Sequence, residues 1–453
     1  MAKKAKKIHT KKGIELKIVN PDAAGIDIAD SEMQVCVPED RDGDNNRRFG
    51  SFTRDLNEIC SWLKACKIKT VAMEATGIYW IPLYFKLKDS GIDVILVNAR
   101  EVKNIAEKKT DEADAEWLML LHTYGLLKAS YQPENEARKI RNLTRHRNNI
   151  LKALSKEVLH MQKAMEQMNI KLSNVLSDIV GKSGLAIIVA IINGERNPIR
   201  LAQLADSRCK RSKEDIALSL EGTWGEDHLF ELKQAYDLYK YLQGQMIECD
   251  RMIEQLLKSY TALIDTDMVN FKESKKPICK KNAVAFNLEH YGYAIWGVNA
   301  MRIPGMSSGS LLQLIGELGH DFVEKFDTPA KFCKWCNLVP NNKISGGKLI
   351  SSRVSKRKNP VGQVFRLCAN TLKDAKNSLG IYFRRIRSRS GHMQAIIATA
   401  HKMARIFYTM VKNKSEYDET NVGIDEQELL LKKIERAKIT LARLNAKLCV
   451  SAI

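Results

Sequence analysis

The chain of 453 residues is short of several things. It has no long apolar run: the longest, Leu185–Ile192, is far too short to span a bilayer. The N-terminal stretch MAKKAKKIHTKKG is basic but lacks the apolar segment of a secretory signal, so residues 1–21 read as a basic disordered arm. The ten cysteines are scattered. Cys333 and Cys336 form a CxxC with no second pair and no paired histidines nearby, which argues against zinc and for reduced, mostly buried thiols. A cytoplasmic protein with no membrane partner is expected. Acid is scarce relative to base: 53 Asp plus Glu stand against 73 Lys plus Arg, a formal net charge of +20. That surplus favours a polyanion through phosphate contacts and counterion release; the plainer alternative is a solvated basic surface. What is present suffices for real cores, with 44% hydrophobic and 7% aromatic residues, and the length implies two or three domains.

Four acids stand out against this background. Asp27 sits in the apolar run GIDIAD, Glu74 closes VAME, and Asp111 and Asp114 lie together in KKTDEADAEWL. Acids at the ends of buried strands are costly unless a cation compensates them. A hard, all-oxygen cluster suits magnesium or manganese, and paired ions of this kind attack phosphodiesters.

The surrounding pattern reads as α/β over residues 22–130. Strands are expected at Ala24–Ala29, Met33–Val37, Arg48–Thr53, Thr70–Met73 and Asp93–Val97, and helices at Asp55–Lys67, Ile78–Ser90 and Glu112–Tyr124. Three strands in succession, then alternating helix and strand, match the order of a ribonuclease-H-like fold. In such a fold acids of the first and fourth strands and of a late helix meet at one edge of the sheet. Asp111 and Asp114, three apart at a helix start, share one helical face.

Residues 131–263 read as a helical region, with long helices over about 134–170 and Leu229–Tyr260. They form an antiparallel coiled coil, a subunit interface or ordinary packing within one domain. Arg145 and Arg147 lie on the first helix; with Arg100 and Lys103 they contact RNA or DNA, or are simply solvated. Residues 264–294 are lysine-rich and read as a linker or insertion. Residues 295–412 form a mainly helical unit. Its Pro304–Gly305 turn resembles a helix–hairpin–helix element that offers backbone N–H groups to phosphate. Helices are expected at Val361–Lys376 and Met393–Val411, with Arg384, Arg385, Arg387 and Arg389 between them. Residues 413–453 read as a charged helical tail.

Taken together, GIDIA, AMEATG and KTDEADAEWL resemble the acidic tetrad motifs of the insertion-sequence one-ten family of transposases, and RIPGMSSGS, WCNLVP and ISGGKLISSRVSKRKNP resemble that family's C-terminal transposase domain. The resemblance runs from about residue 22 to 412. It implies a bacterial mobile-element recombinase with a RuvC-like magnesium site and a serine nucleophile supplied by a second domain. It further implies DNA ends and a target as substrate, a bridge RNA as guide, and a dimer or tetramer. It carries the tetrad onto Asp27, Glu74, Asp111 and Asp114, and the nucleophile onto Ser345. Gly346 and Gly347 then let the backbone approach DNA, and Lys348, Arg353, Lys356, Arg357 and Lys358 hold flanking phosphates.

Plainer readings stand beside these. Asp27 is a strand-end acid, Asp111 a helix cap, and Ser345 a loop residue with Ser351, Ser352 and Ser355 as neighbours of the same chemistry. The rival enzyme is a RuvC-like nuclease or junction resolvase that uses water, and the rival non-enzyme is a nucleic-acid-binding module with a degenerate acid site.

Overall fold

The structure, a computed structural model, describes residues 17–75, 77–98, 111–268, 271–274, 282–355 and 359–420, with scattered positions between 431 and 444; for Asp111 it describes the backbone. The expected basic arm (up to residue 16), Arg100, Lys103, Lys356, Arg357, Lys358 and most of the charged tail lie outside the described residues. The chain divides into two compact units, one ending at Gln132 and the other beginning at Pro133. The first is a mixed α/β sheet domain and the second is mostly helical.

In the first unit five strands, β1 (Ala23–Ile28), β2 (Glu32–Cys36), β3 (Asn46–Gly50), β4 (Thr70–Glu74) and β5 (Asp93–Val97), form one sheet of order β3-β2-β1-β4-β5. β1, β2 and β3 pair antiparallel, while β4 and β5 continue from β1 in parallel. One face is strongly apolar. Ile26, Ile28, Val35, Val71, Met73 and Leu96 are buried there against helices α1 (Thr53–Ala65) and α2 (Trp80–Asp89). Each such side chain contributes about 1.5–3 kcal/mol. The expected third strand ends earlier than the sequence suggested, because Asp55 folds back and accepts the Phe52 N–H at 2.9 Å, which starts α1 at Thr53. Gly50 leaves room for that carboxylate, since a Cβ there would lie 2.3 Å from Asp55 Oδ2. Pro82 is tolerated in α2 because it falls in the first turn.

Among the described residues the other face carries one helix, α3 (Asp111–Thr123), which buries Ala115, Leu118, Met119 and Leu121 against Ala72, Val97 and Cys36. Its direction is fixed at its C-terminal end. The Thr123 carbonyl accepts the N–H groups of Val19 (2.9 Å) and Asn20 (3.0 Å), just ahead of β1, and buried His122 Nε2 lies 2.9 Å from Thr70 Oγ1 at the start of β4. α3 therefore runs against β1 and β4, and its N-terminus lies toward their C-terminal ends.

The second unit opens with two long helices, α4 (Asn135–Gln167) and α6 (Glu226–Thr261), separated by a short apolar helix, α5 (Lys182–Ile192), and smaller turns. α4 and α6 pack antiparallel: Tyr260 reaches Glu134 at one end, while Cys249 and Asp250 reach Leu143 and Arg147 further along. The two helices pair antiparallel within the chain, an arrangement common to the coiled-coil and the ordinary-packing readings. Ala137, Ile140, Ile150, Leu154 and Met161 on α4 are buried, as are Leu232, Ile253 and Leu257 on α6.

The rest comprises α7 (Leu288–Trp296), α8 (Ser308–Leu318), α9 (Pro329–Trp335), a hairpin of β6 (Pro340–Ser345) and β7 (Lys348–Val354), and helices α10 (Pro360–Thr371), α11 (Ser378–Ser390) and α12 (His392–Asn413). Their core is aromatic. The rings of Trp296, Phe322, Phe332, Phe365 and Phe407 stack or meet edge-on, and Trp296 donates its indole N–H to the Gly319 carbonyl at 2.9 Å. Cys333 and Cys336 are buried in this core. Burial pushes the Cys333 thiol up to about 12 and that of Cys336 well above its ordinary value, so both remain neutral packing groups. The arginines expected between two helices sit on a helix of their own, α11, whose N-terminus is capped by Asn377. Among the described residues no helix is long and apolar enough to cross a membrane.

Two outcomes follow. Burial lowers the His122 pKa, so as pH falls the unfolded chain takes up that proton before the folded one does. The first unit should lose stability from about pH 6.5 downward; His122→Gln should flatten that part of a profile of melting temperature against pH. In the second unit, Asp250→Ala should cost about 3–5 kcal/mol in chemical denaturation by stranding the buried Arg147 guanidinium, whereas replacing both by apolar residues should cost far less.

Candidate active site

Strand register places the candidate acids of the first unit. Ile26 pairs with Met73 across the parallel β1–β4 ladder, so one step further Asp27 falls beside Glu74, the last residue of β4. Neighbouring strands lie about 4.8 Å apart and paired residues point to the same side. That side is the α3 face, where Gly25 shares the orientation of Asp27. A Cβ on Gly25 would lie 2.3 Å from both Ala115 O and Met119 N, so the helix backbone rests directly on β1. With α3 running against β1, its first turn, bearing Asp111 and Asp114, is directed to the sheet end that holds Asp27 and Glu74. Asp27, Glu74 and Asp114 are each half-buried. The donor set is all carboxylate oxygen, which fits a hard divalent cation.

The remaining candidate residues lie on the β6–β7 hairpin of the second unit. Ser345 pairs with Lys348 across a two-residue turn, Gly346–Gly347, with φ of 54° and 74°. Positive φ at both central residues is the signature of a type I′ turn, the one whose twist matches antiparallel strands. No heavy atom would meet a Cβ on either glycine, so conformation and not crowding calls for glycine here. The ladder puts Asn341, Lys343, Ser345, Lys348, Ser351 and Arg353 on one face, and Pro340, Asn342, Ile344, Leu349, Ser352 and Val354 on the other. A register shift after Lys343 leaves Ile350 as an extra residue, a bulge that keeps this sorting intact. Ser345 is exposed at the tip, on the cationic face. Lys343 was missed in the sequence reading; its place two residues before Ser345 is the period-2 signal that identifies it.

Other expected contacts fare differently. Arg147 is a correction: its guanidinium is buried, donates to Asp250 at 2.5 and 3.2 Å, and also reaches the carbonyls of Asn282 and Ala283. It ties α4 to α6 and presents nothing to phosphate. Arg145 is on the surface and makes a two-pronged pair with Glu317 at 2.8 and 2.9 Å. Gly305 has φ +86°, and a Cβ there would lie 2.7 Å from the Cys368 carbonyl, so it is explained by packing on α10. Among the described residues, the trio of metal-ligating side chains whose ligand atoms all lie within 4.8 Å of one another is Glu134, His320 and Asp321, in the second unit, not the sheet-edge acids. That trio has internal partners: Glu134 accepts from Tyr260 and pairs with His320, and Asp321 pairs with Lys325.

Residues 24–170 match a family model described as Transposase, the DEDD type of IS110, and residues 299–379 match one described as Transposase IS116/IS110/IS902 family. The chain belongs to the IS110 family of transposases. No curated protein matches it. Membership makes DNA its partner and divalent-metal dependence its general character.

The turn is open to test. Gly347→Val forces a β-branched residue to φ near 74°, a strain of about 1–3 kcal/mol. DNA strand joining should fall by about tenfold or more while the thermal transition of the protein stays in place. Unchanged joining would show that the turn does not position Ser345.

Proposed function

We propose that this transposase cuts and rejoins DNA through a phosphoserine intermediate. Asp27, Glu74, Asp111 and Asp114 form its metal-binding tetrad, on a RuvC-like, ribonuclease-H-like domain, and Ser345 is its nucleophile. The observation that carries the reading is the β1–β4 register, which sets Asp27 beside Glu74 at the sheet end toward which α3 directs Asp111 and Asp114. When bound, Mg2+ or Mn2+ would neutralise phosphate charge and stabilise the leaving oxygen. The four carboxylates hold it there and set its position.

Ser345 brings the second requirement, a hydroxyl at an exposed tip among cations. Its Oγ–P bond forms as one ester P–O bond of the DNA backbone breaks; the hydroxyl proton is lost, and the departing strand end becomes a hydroxyl. A hydroxyl from another strand end then attacks the phosphoserine, which restores the ester and the serine. Bond energy is kept throughout, so no high-energy cofactor is required. Lys343, Lys348 and Arg353, on the same face of the ribbon, hold the flanking phosphates. Joining several strands takes more than one such centre, so the working form is a dimer or tetramer. Family likeness is the ground for a bridge RNA as its guide.

Ser345→Ala should abolish the covalent protein–DNA adduct, with strand joining down by more than about a thousandfold, while DNA binding survives. Asp27→Asn should abolish both cleavage and adduct. Cleavage that persists in Ser345→Ala but not in Asp27→Asn would instead identify a nuclease that uses water.

A further inference from the structure

Helix α11 lies in an acid-free stretch: residues 375–415 hold nine Lys and Arg and no Asp or Glu. Four of the nine, Arg384, Arg385, Arg387 and Arg389, are exposed on α11 itself. The inner face of the helix is apolar, with Phe383 and Ile386 packed beside Ala395 of α12. At about 3.6 residues per turn the outer face has a definite order. Ile381, which is 46% exposed, and Ser388, seven residues on, form its crest. Arg384 and Arg387, three apart, lie on one flank of that crest, and Arg385 and Arg389, four apart, on the other.

The fold does not neutralise these charges. Among the described residues none of the four arginines pairs with a carboxylate. Glu419 does touch α11, but it accepts from Ser378 N at 2.8 Å, at the opposite end of the helix. Arg384 donates to the Ala375 carbonyl at 2.6 Å and to that of Lys373 at 3.4 Å, which anchors its guanidinium and leaves its charge in place. Arg385 lies 5.5 Å from the centre of the Tyr382 ring, and Lys402 of α12 lies 4.8 Å from the same ring. Two like charges at one ring repel, and a nearby anion relieves that. Arg387 and Arg389, in the last turn, complement the helix dipole; the upstream pair has no such account. We propose that α11 seats in the major groove of duplex DNA, its crest toward the base edges and its two arginine flanks on the phosphates of the two groove walls. A helix about 10–12 Å across fills a groove about 12 Å wide, whereas the major groove of an RNA duplex is too deep and narrow for it. Arginines on both sides of a neutral crest match two rows of phosphates, and Ile381 offers an apolar contact of the kind a thymine methyl accepts. The proposal rests on the family membership that makes DNA the partner, not on which residue is the nucleophile.

Full-length protein is titrated against labelled duplex DNA and labelled single-stranded RNA over a range of salt. Arg384→Gln with Arg387→Gln, and Arg385→Gln with Arg389→Gln, should each weaken duplex binding about tenfold or more and lower the slope of log affinity against log salt by close to two, about 0.9 per phosphate contact. Arg385→Lys with Arg389→Lys keeps the charge and should keep the slope; a slope that falls there as well shows packing at work instead of charge and overturns the proposal. A second probe is the same duplex with glucose carried on the cytosine C5 substituents, which fills the major groove and leaves every phosphate in place. It should bind wild-type protein severalfold more weakly, and on it the Gln pairs should cause no further loss. Equal losses on the plain and the filled duplex would overturn the seating in the groove. Wild-type affinity and slope in both Gln pairs, or losses confined to RNA, would overturn the assignment to DNA. Ser345 takes no part in this measurement, so its outcome and that of the adduct assay are read independently.

Discussion

A helix lying directly on a strand is the contact on which the first unit depends. Gly25 has no side chain, and the space it leaves is taken by the Ala115 carbonyl and the Met119 amide of α3. Any larger residue would lift the helix from the sheet, and the first turn of that helix carries two of the four acids. The Thr123, Asn20 and His122 contacts hold the far end of the same helix. The acids are therefore placed by backbone packing and strand register, which are rigid, and not by loops.

Much of this was legible in the sequence. The five strands and three helices described for the first unit were expected within a few residues, because period-2 and period-3.6 patterns are strong where a sheet has one apolar face and a helix lies on the other. The end of β3 was misplaced because the Asp55–Phe52 cap is a side-chain event that hydrophobic periodicity does not register. The two long helices were legible as helices; that they pair with each other depended on contacts over a hundred residues apart, such as Arg147 with Asp250. Arg147 also shows how a basic cluster misleads: on one turn of α4, Arg145 faces outward and Arg147 inward, and composition cannot separate them.

The second unit was harder to read for a physical reason. The hairpin is polar and basic on one face and short on both strands, so its pattern resembles a loop; only Gly346–Gly347 announced the turn. α11 was hidden by its arginines, whose long apolar stems let a charged segment pack as a helix while their heads remain in water.

The hairpin has unlike sides. Ile344, Leu349 and Ile350 remain largely exposed, at 64%, 57% and 68%, opposite or beside a face of lysine, arginine and serine. A two-residue turn and one extra residue in β7 set the phase of the ribbon. A slip by a single position would roll Ser345 onto the greasy side, where a hydroxyl is useless against an anion. Length in this segment is thus as tightly constrained as chemistry: residues can be exchanged along the ribbon more readily than any can be added or removed.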